Sequence, residues 1–326
     1  MTNIALITGI TGQDGSYLCE LLLRKNYVVH GLVRRTSSTV RHRLDHLTSD
    51  PAIYNQKFFL HYADLDDVTT VRRVFLRVRP TEVYHLAGQS HVGISFDIPE
   101  STCEFTAMGT LRLLEILRDL DPVPKLLHAS SSEIFGKPTV SPQDESTEIR
   151  PCNPYGIAKA FATELVRVYR EAFGMFACNA ICYNHESPRR GESFVTRKIT
   201  KAVVAIKRGE QSELNLGDLA SQRDWGYAPD YVWGMWQILQ QSMATDYVLA
   251  TGLLTSVREF LEAAFGELGL DWQNYVKTDS RLLRPINSDP LVGDASKARA
   301  AFGWNPTTKM PELARLMVRA EMAGDT

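Results

Sequence analysis

Short apolar runs alternate with stretches of helical periodicity from the N-terminus to about residue 184, and that alternation leaves few folds open. "IALITG" (4–9), "YVVHGLV" (27–33), "KFFLHYADL" (57–65), "EVYHLAG" (82–88) and "KLLHASS" (125–131) have the length and apolarity of buried parallel strands. "GSYLCELLLRKN" (15–26), "VTTVRRVFLRV" (68–78), "STCEFTAMGTLRLLEILRDL" (101–120) and "NPYGIAKAFATELVRVYREAF" (153–173) place apolar residues at helical spacing, and "FACNAICYN" (176–184) follows as a sixth strand. This alternation predicts right-handed βαβ units in an α/β fold with a doubly wound parallel sheet. Beyond residue 184 the pattern weakens. "HESPRRGES" (185–193) reads as a polar loop and "SVREFLEAAFGEL" (256–268) as a helix among shorter pieces.

The chain therefore divides into residues 1–183, which build the sheet, and 184–326, a smaller C-terminal substrate-binding region from which the chain crosses back. At 326 residues and 44% hydrophobic content it is long enough to bury a core in each. A net charge of -2 argues against a nucleic-acid partner, which calls for a basic excess. Five scattered cysteines without metal-ligand spacing read as reduced thiols, so no metal and a cytoplasmic location are expected. The N-terminus runs straight into strand and turn with no leader pattern. No apolar stretch is long enough to span a membrane, so no membrane partner is expected.

"TGITGQDG" sets Gly9, Gly12 and Gly15 between the first strand and the first helix. Glycines there permit a tight turn and let backbone N–H groups approach a pyrophosphate at a helix N-terminus, the Rossmann-type arrangement. Thr11, Gln13 and Asp14 share that turn and count with the glycines as cofactor-binding. At the end of the second strand an acid would bind the adenine ribose, whereas an arginine meets a 2′-phosphate. "VRRTSS" supplies Arg34 and Arg35, which favours NADP. Asp64 and Leu65 end the third strand, placed to touch the adenine. Leu86, Ala87 and Gly88 end the fourth and line the cofactor.

"PYGIAK" puts Tyr155 and Lys159 four residues apart, on one face of a helix. A lysine ammonium beside a tyrosine favours phenolate and lowers its pKa, which gives a base for a hydroxyl proton as hydride leaves. The fifth strand ends in Ser130, Ser131 and Ser132, and Glu133 follows. If Glu133 faces the same cleft, the chemistry includes taking a proton from carbon.

These motifs resemble the extended short-chain dehydrogenase/reductases and, more narrowly, the GDP-mannose 4,6-dehydratase family. "QSHVGISFDIPE" (89–100), "SSEIFGK" (131–137), "NHESPRRGESFVTRKIT" (184–200), "RDWGYAPDYV" (223–232) and "ATGLLTSVREF" (250–260) carry the resemblance across nearly the whole chain, and 184–200 is its most specific stretch. The resemblance implies NADP-dependent conversion of GDP-mannose to GDP-4-keto-6-deoxymannose, with residues 1–183 as the NADP-binding domain that carries the catalytic residues. Ser131 takes the place of the family's hydroxyl residue, Tyr155 and Lys159 are the base and its partner, and Glu133 is the active-site glutamate. For the nucleotide sugar the resemblance assigns Asn184, Glu186, Arg189, Val195 and Lys198; the forked guanidinium donors of Arg223 and Arg284 suit the diphosphate, and Ser90 is expected near the reacting sugar. His91 and His185 read as structural. Family members assemble as homodimers or homotetramers, and the basic 34–47 segment suits a reach toward a neighbour's cofactor.

The chain departs from the family pattern in four places. Serine replaces the usual threonine at Ser131, Tyr227 stands for a histidine, Asn287 for an acid, and Phe135 for a tyrosine. Tyr227 and Asn287 fall in the stretches assigned to the nucleotide sugar, which leaves open a dehydratase for a related nucleotide sugar. A 4-reductase or 4-epimerase of the same fold needs no carboxylate at 133, and a non-catalytic NADP sensor needs neither Tyr155 nor Lys159.

Overall fold

The computed structural model describes residues 3–34, 42–283, 286 and 288–324; Arg35, Arg284 and Asn287 lie outside them. Five strands come first: β1 (Ile4–Thr8), β2 (Val28–Val33), β3 (Phe58–Tyr62), β4 (Glu82–His85) and β5 (Lys125–Ser131). Seven more follow: β6 (Ala177–Cys182), β7 (Asn184–Glu186), β8 (Leu214–Leu216), β9 (Gln222–Tyr227), β10 (Tyr247–Leu249), β11 (Leu254–Ser256) and β12 (Val276–Thr278). The α-helices are α1 (Gln13–Arg24), α2 (Asp45–Thr48), α3 (Val68–Val78), α4 (Pro99–Cys103), α5 (Gly109–Arg118) and α6 (Pro154–Phe173). They continue with α7 (Val195–Lys207), α8 (Ala228–Gln240), α9 (Val257–Glu267), α10 (Ser296–Phe302) and α11 (Glu312–Ala323).

Seven strands form one sheet in the order β10-β6-β5-β4-β1-β2-β3, every neighbouring pair parallel. A parallel sheet must be covered on both faces, and the central strands comply: every residue of β4 and β6 is buried. One face packs against α1 and α8 through Leu18, Leu22, Met235 and Ile238. The other packs against α3, α5 and α6 through Phe75, Leu113, Leu117 and Val166. This is the doubly wound, Rossmann-type sheet that the alternating pattern predicts. Strand order reverses between β1 and β4, so their carboxyl ends open a crevice where a ligand can lie against the sheet.

A second core is built by α7, α9 and α11 around Ile199, Phe260, Leu313 and Met317. It carries the short β11-β9-β7 and β12-β8 sheets. Buried Asp224 of β9 joins this body to the main sheet. Its carboxylate accepts from the backbone N–H of Thr251 (2.9 Å), Gly252 (2.8 Å) and Gly293 (3.3 Å).

Three local expectations change. The helix read over 101–120 spans 99–118 and is interrupted by a π-turn, Glu104–Met108, whose Thr106 and Ala107 are buried. The sixth strand stops at Cys182, and the first residues of the expected polar loop instead form β7, because Glu186 is buried with an arginine partner. β10, absent from the sequence reading, closes the sheet edge beside β6. Past β12 the chain runs back beside the loop after β5: Asp289 N–H donates to Gly136 O (3.1 Å) and Asp294 N–H to Gln143 O (2.8 Å). That return course carries Ser288 to the carboxyl end of β5.

Candidate active site

A cleft of about 1450 Å³ runs across the carboxyl ends of the strands and into the second body. Its floor is the turn after β1. Gly9 has φ +74, and a Cβ there would sit 2.8 Å from Ala87 N; a Cβ on Gly15 would collide with Gly9 O. Only glycine fits either position, and the resulting cradle exposes backbone at the N-terminus of α1, which fits the diphosphate of a dinucleotide. Thr11, Gly12, Gln13, Asp14, Arg34, Asp64, Leu65, Leu86 and Ala87 line the same cleft. Arg34 is exposed with its guanidinium over Phe105, 5.7 Å from the ring centre. Burial and neighbouring Asp66 push the Asp64 carboxyl up, with Arg34 working the other way.

Ser131, Glu133, Tyr155 and Lys159 meet on one wall. Ser131 closes β5, and its Oγ accepts from Glu133 N–H at 3.2 Å, which folds the chain so that the acid turns back toward the strand end. Tyr155 enters from α6 close enough to Ser131 for that hydroxyl to favour its phenolate. Lys159, one turn along, donates to Ala129 O at 2.6 Å. Glu133 is only 7% exposed; its Oε2 accepts from Asn153 Nδ2 at 2.8 Å, and Ser288 Oγ stands 3.5 Å from Oε1. The sequence reading misses Asn153, although N-P before a helix is a legible capping signal.

The tyrosine's acidity runs opposite to expectation. Burial pushes the Tyr155 phenol up to about 12 and Lys159 down to about 8. Desolvation outweighs the pairing inferred from spacing, and the ammonium's hydrogen bond goes to a backbone carbonyl. Ser131 and Arg190 act on Tyr155 in the favourable direction.

Ser90, Asn184, Glu186, Val195, Lys198 and Arg223 also line the cleft. Lys198 Nζ donates to Asn215 O at 2.7 Å and Arg223 Nη1 to Gln222 O at 2.6 Å. Arg189 does not reach the cleft. It turns to α1, paired with Glu20 Oε1 at 2.6 Å and stacked on Tyr17. Its neighbour Arg190 lines the cleft instead, with Nε 3.1 Å from Glu186 Oε2. Two adjacent arginines on an irregular loop give no periodicity to choose between them. Tyr227 also stays out of the cleft wall, half-buried against the second core, where burial pushes its phenol up to about 12. Phe135 is buried in the main core. Among the described residues no three His, Cys, Asp or Glu side chains gather as metal ligands.

The floor is bolted to β7 and the residue that follows it. Gln13 Nε2 donates to His185 O (3.1 Å), Ser187 Oγ donates to Gln13 Oε1 (2.8 Å), and His185 Nε2 meets Asp14 Oδ2 at 2.8 Å. Burial works to lower His185, but the Asp14 carboxylate outweighs it and raises the imidazole above its ordinary 6.5. Burial likewise works to raise Asp14, and His185 outweighs it, holding the acid below 3.8. The His185 contribution is therefore complete below 6.5 and is lost as pH rises through the raised value. The Asp14 contribution is present above 3.8 and is lost as pH falls through the depressed value. Melting temperature against pH should fall by a few degrees more in the native protein than in H185Q on going from pH 6.5 into the alkaline range. Parallel curves would show the pair to be uncoupled.

The whole chain matches known proteins. The family model described as GDP-mannose 4,6 dehydratase matches residues 6–317. GDP-mannose 4,6 dehydratase 2 of Arabidopsis thaliana is 51% identical over 98% of this chain and 87% of its own. GDP-mannose 4,6-dehydratase of Sinorhizobium fredii is 47% identical over 98% of this chain and 97% of its own. Among solved structures, UDP-glucose 4-epimerase of Thermus thermophilus in complex with NAD superposes with a TM-score of 0.84 at 27% identity, over 99% of this chain and 100% of its own.

Proposed function

Because the chain belongs to the GDP-mannose 4,6-dehydratase family, we propose that it converts GDP-mannose to GDP-4-keto-6-deoxymannose in this cleft, with NADP as cofactor. The observation that carries the reading is the buried carboxylate of Glu133 on the same wall as Ser131, Tyr155 and Lys159. A 4-reductase or 4-epimerase would leave that carboxylate without a task.

A bound nicotinamide would supply reversible hydride transfer. Tyr155 takes the proton of the 4-hydroxyl, aided by the Ser131 hydroxyl; Lys159, on the same helical face, supplies the positive charge a phenolate requires. Once C4 is a ketone the C5 proton is acidic. Glu133 removes it and then gives a proton to the departing 6-hydroxyl, one carboxyl group serving as base and then as acid. Asn184, Glu186, Val195, Lys198 and Arg223 are proposed to hold the nucleotide sugar, with Ser90 near the reacting hexose. Residues 1–183 act as the cofactor domain and 184–326 mainly as the sugar-nucleotide region.

The choice of NADP rests on Arg34, exposed where an adenine ribose phosphate would lie. R34A is expected to lower the preference for NADP over NAD by about tenfold or more, read by titration of each cofactor. The protein is proposed to work in the cytoplasm as a homodimer or homotetramer. The solvent face of α6 carries Ile157, Phe161 and Val168, exposed apolar residues that a second copy would cover. No helix among the described residues is long and apolar enough to cross a membrane.

The test is incubation with GDP-mannose and a trace of NADP in deuterated water. A 4-keto-6-deoxy product carrying deuterium at C5, with no net change in cofactor redox state, is expected. A C4 epimer, or stoichiometric consumption of NADPH, would overturn the proposal.

A further inference from the structure

We propose that Asn153 is a positioning residue for the elimination step, fixing which oxygen of Glu133 carries the proton. The inference rests on the dehydratase reading for its chemistry, but its geometry stands independently. Asn153 is 3% exposed and caps α6: its Oδ1 accepts from Gly156 N–H at 2.8 Å. A backbone N–H can only donate, so the amide's orientation is dictated by the helix, and Nδ2 must face Glu133, where it donates to Oε2 at 2.8 Å. The same turn is held close to the acid, since a Cβ on Gly156 would lie 2.5 Å from Glu133 O. One side chain thus starts the helix that presents Tyr155 and orients the carboxylate that works beside it.

The chemical consequence is an asymmetric carboxylate. Oε2 has a lone pair engaged by an amide that cannot accept a proton, so the transferred proton rides on Oε1. In the elimination the C5–H bond breaks as the Oε1–H bond forms, and the electron pair passes into the 4-ketone as an enolate. The Oε1 proton then goes to O6 as the C6–O bond breaks, which releases water and leaves a C5–C6 double bond conjugated with the ketone. Ser288, brought in by the returning C-terminal segment, donates to Oε1 across 3.5 Å, and its hydroxyl, unlike the Asn153 amide nitrogen, can turn to accept once Oε1 carries the proton.

N153S separates this role from simple capping. Serine is a good N-cap and keeps α6, but its short side chain withdraws the donor from Oε2. Elimination is expected to slow by about ten- to hundredfold, the worth of one hydrogen bond to an ionised group, while oxidation at C4 proceeds. Reduced cofactor and 4-keto sugar therefore accumulate in a single turnover. N153D keeps the cap acceptor, sets a second carboxylate against Glu133 and is expected to slow elimination further.

A readout without substrate comes from the infrared difference between the native protein and E133Q, which isolates the Glu133 carboxylate band. That band is expected to move in N153S. Oxidation and elimination slowed equally, or elimination unchanged, would overturn the role in catalysis. A band that stays in place would overturn the contact itself. A band that moves in N153S, with native protein that makes no 4-keto-6-deoxy sugar, would instead overturn the dehydratase reading.

Discussion

Glu133→Gln is expected to stop the reaction halfway. The amide keeps the size of the side chain and can still meet Asn153, so the wall around it survives, but it can neither take the C5 proton nor return one to O6. Overall turnover should fall by about 10²–10⁴-fold, the usual worth of a positioned acid–base group. In the proposed mechanism oxidation at C4 uses Tyr155 and not Glu133, so the variant should accumulate reduced nicotinamide and a 4-keto hexose that retains its 6-hydroxyl. Near-ultraviolet absorbance of the reduced cofactor in a single turnover, with mass spectrometry of the sugar, reads both. Normal dehydration by E133Q would remove Glu133 from the chemistry.

Tyr155→Phe gives the opposite signature. The ring still fills its buried site on α6, and only the phenol hydroxyl beside Ser131 is lost. Without that oxygen the first proton has no acceptor, so the hydride step itself should slow by about 10²–10⁴-fold. No reduced cofactor should build up, and no deuterium should enter C5, because the ketone that acidifies C5 never forms. Hydride transfer within about tenfold of the native rate would mean that another group takes the 4-hydroxyl proton. The two variants together distinguish a two-stage dehydration from any scheme with one acid–base centre.

The sheet and the glycine-rich turn are legible in the sequence because their signals are local. An apolar run, a glycine that must pack against backbone and a helical repeat each lie within a short stretch of chain. What stays hidden depends on contacts between distant residues. The three residues of β10 look like a loop fragment until they are set beside Ala180–Cys182 in the main sheet. Ser288 is 155 positions from the glutamate it approaches. The acidity of Tyr155 escapes for a different reason: spacing reveals a neighbouring charge but not the loss of water around it, and at this wall desolvation is the larger effect. Asn153 is readable as a helix cap, but its second hydrogen bond is not.

On the proposed reading, the ties from Gln13 and Asp14 to His185 and Ser187 join the floor beneath the cofactor to the part of the cleft that takes the sugar nucleotide. Ligands that share a wall are not held independently: ordering by either favours the other, and thermodynamic linkage makes the benefit equal in both directions. A reaction that sends a hydride out and takes it back within one turnover gains from that reciprocity. On the proposed reading, the sugar nucleotide would help to hold the dinucleotide until the turnover is complete.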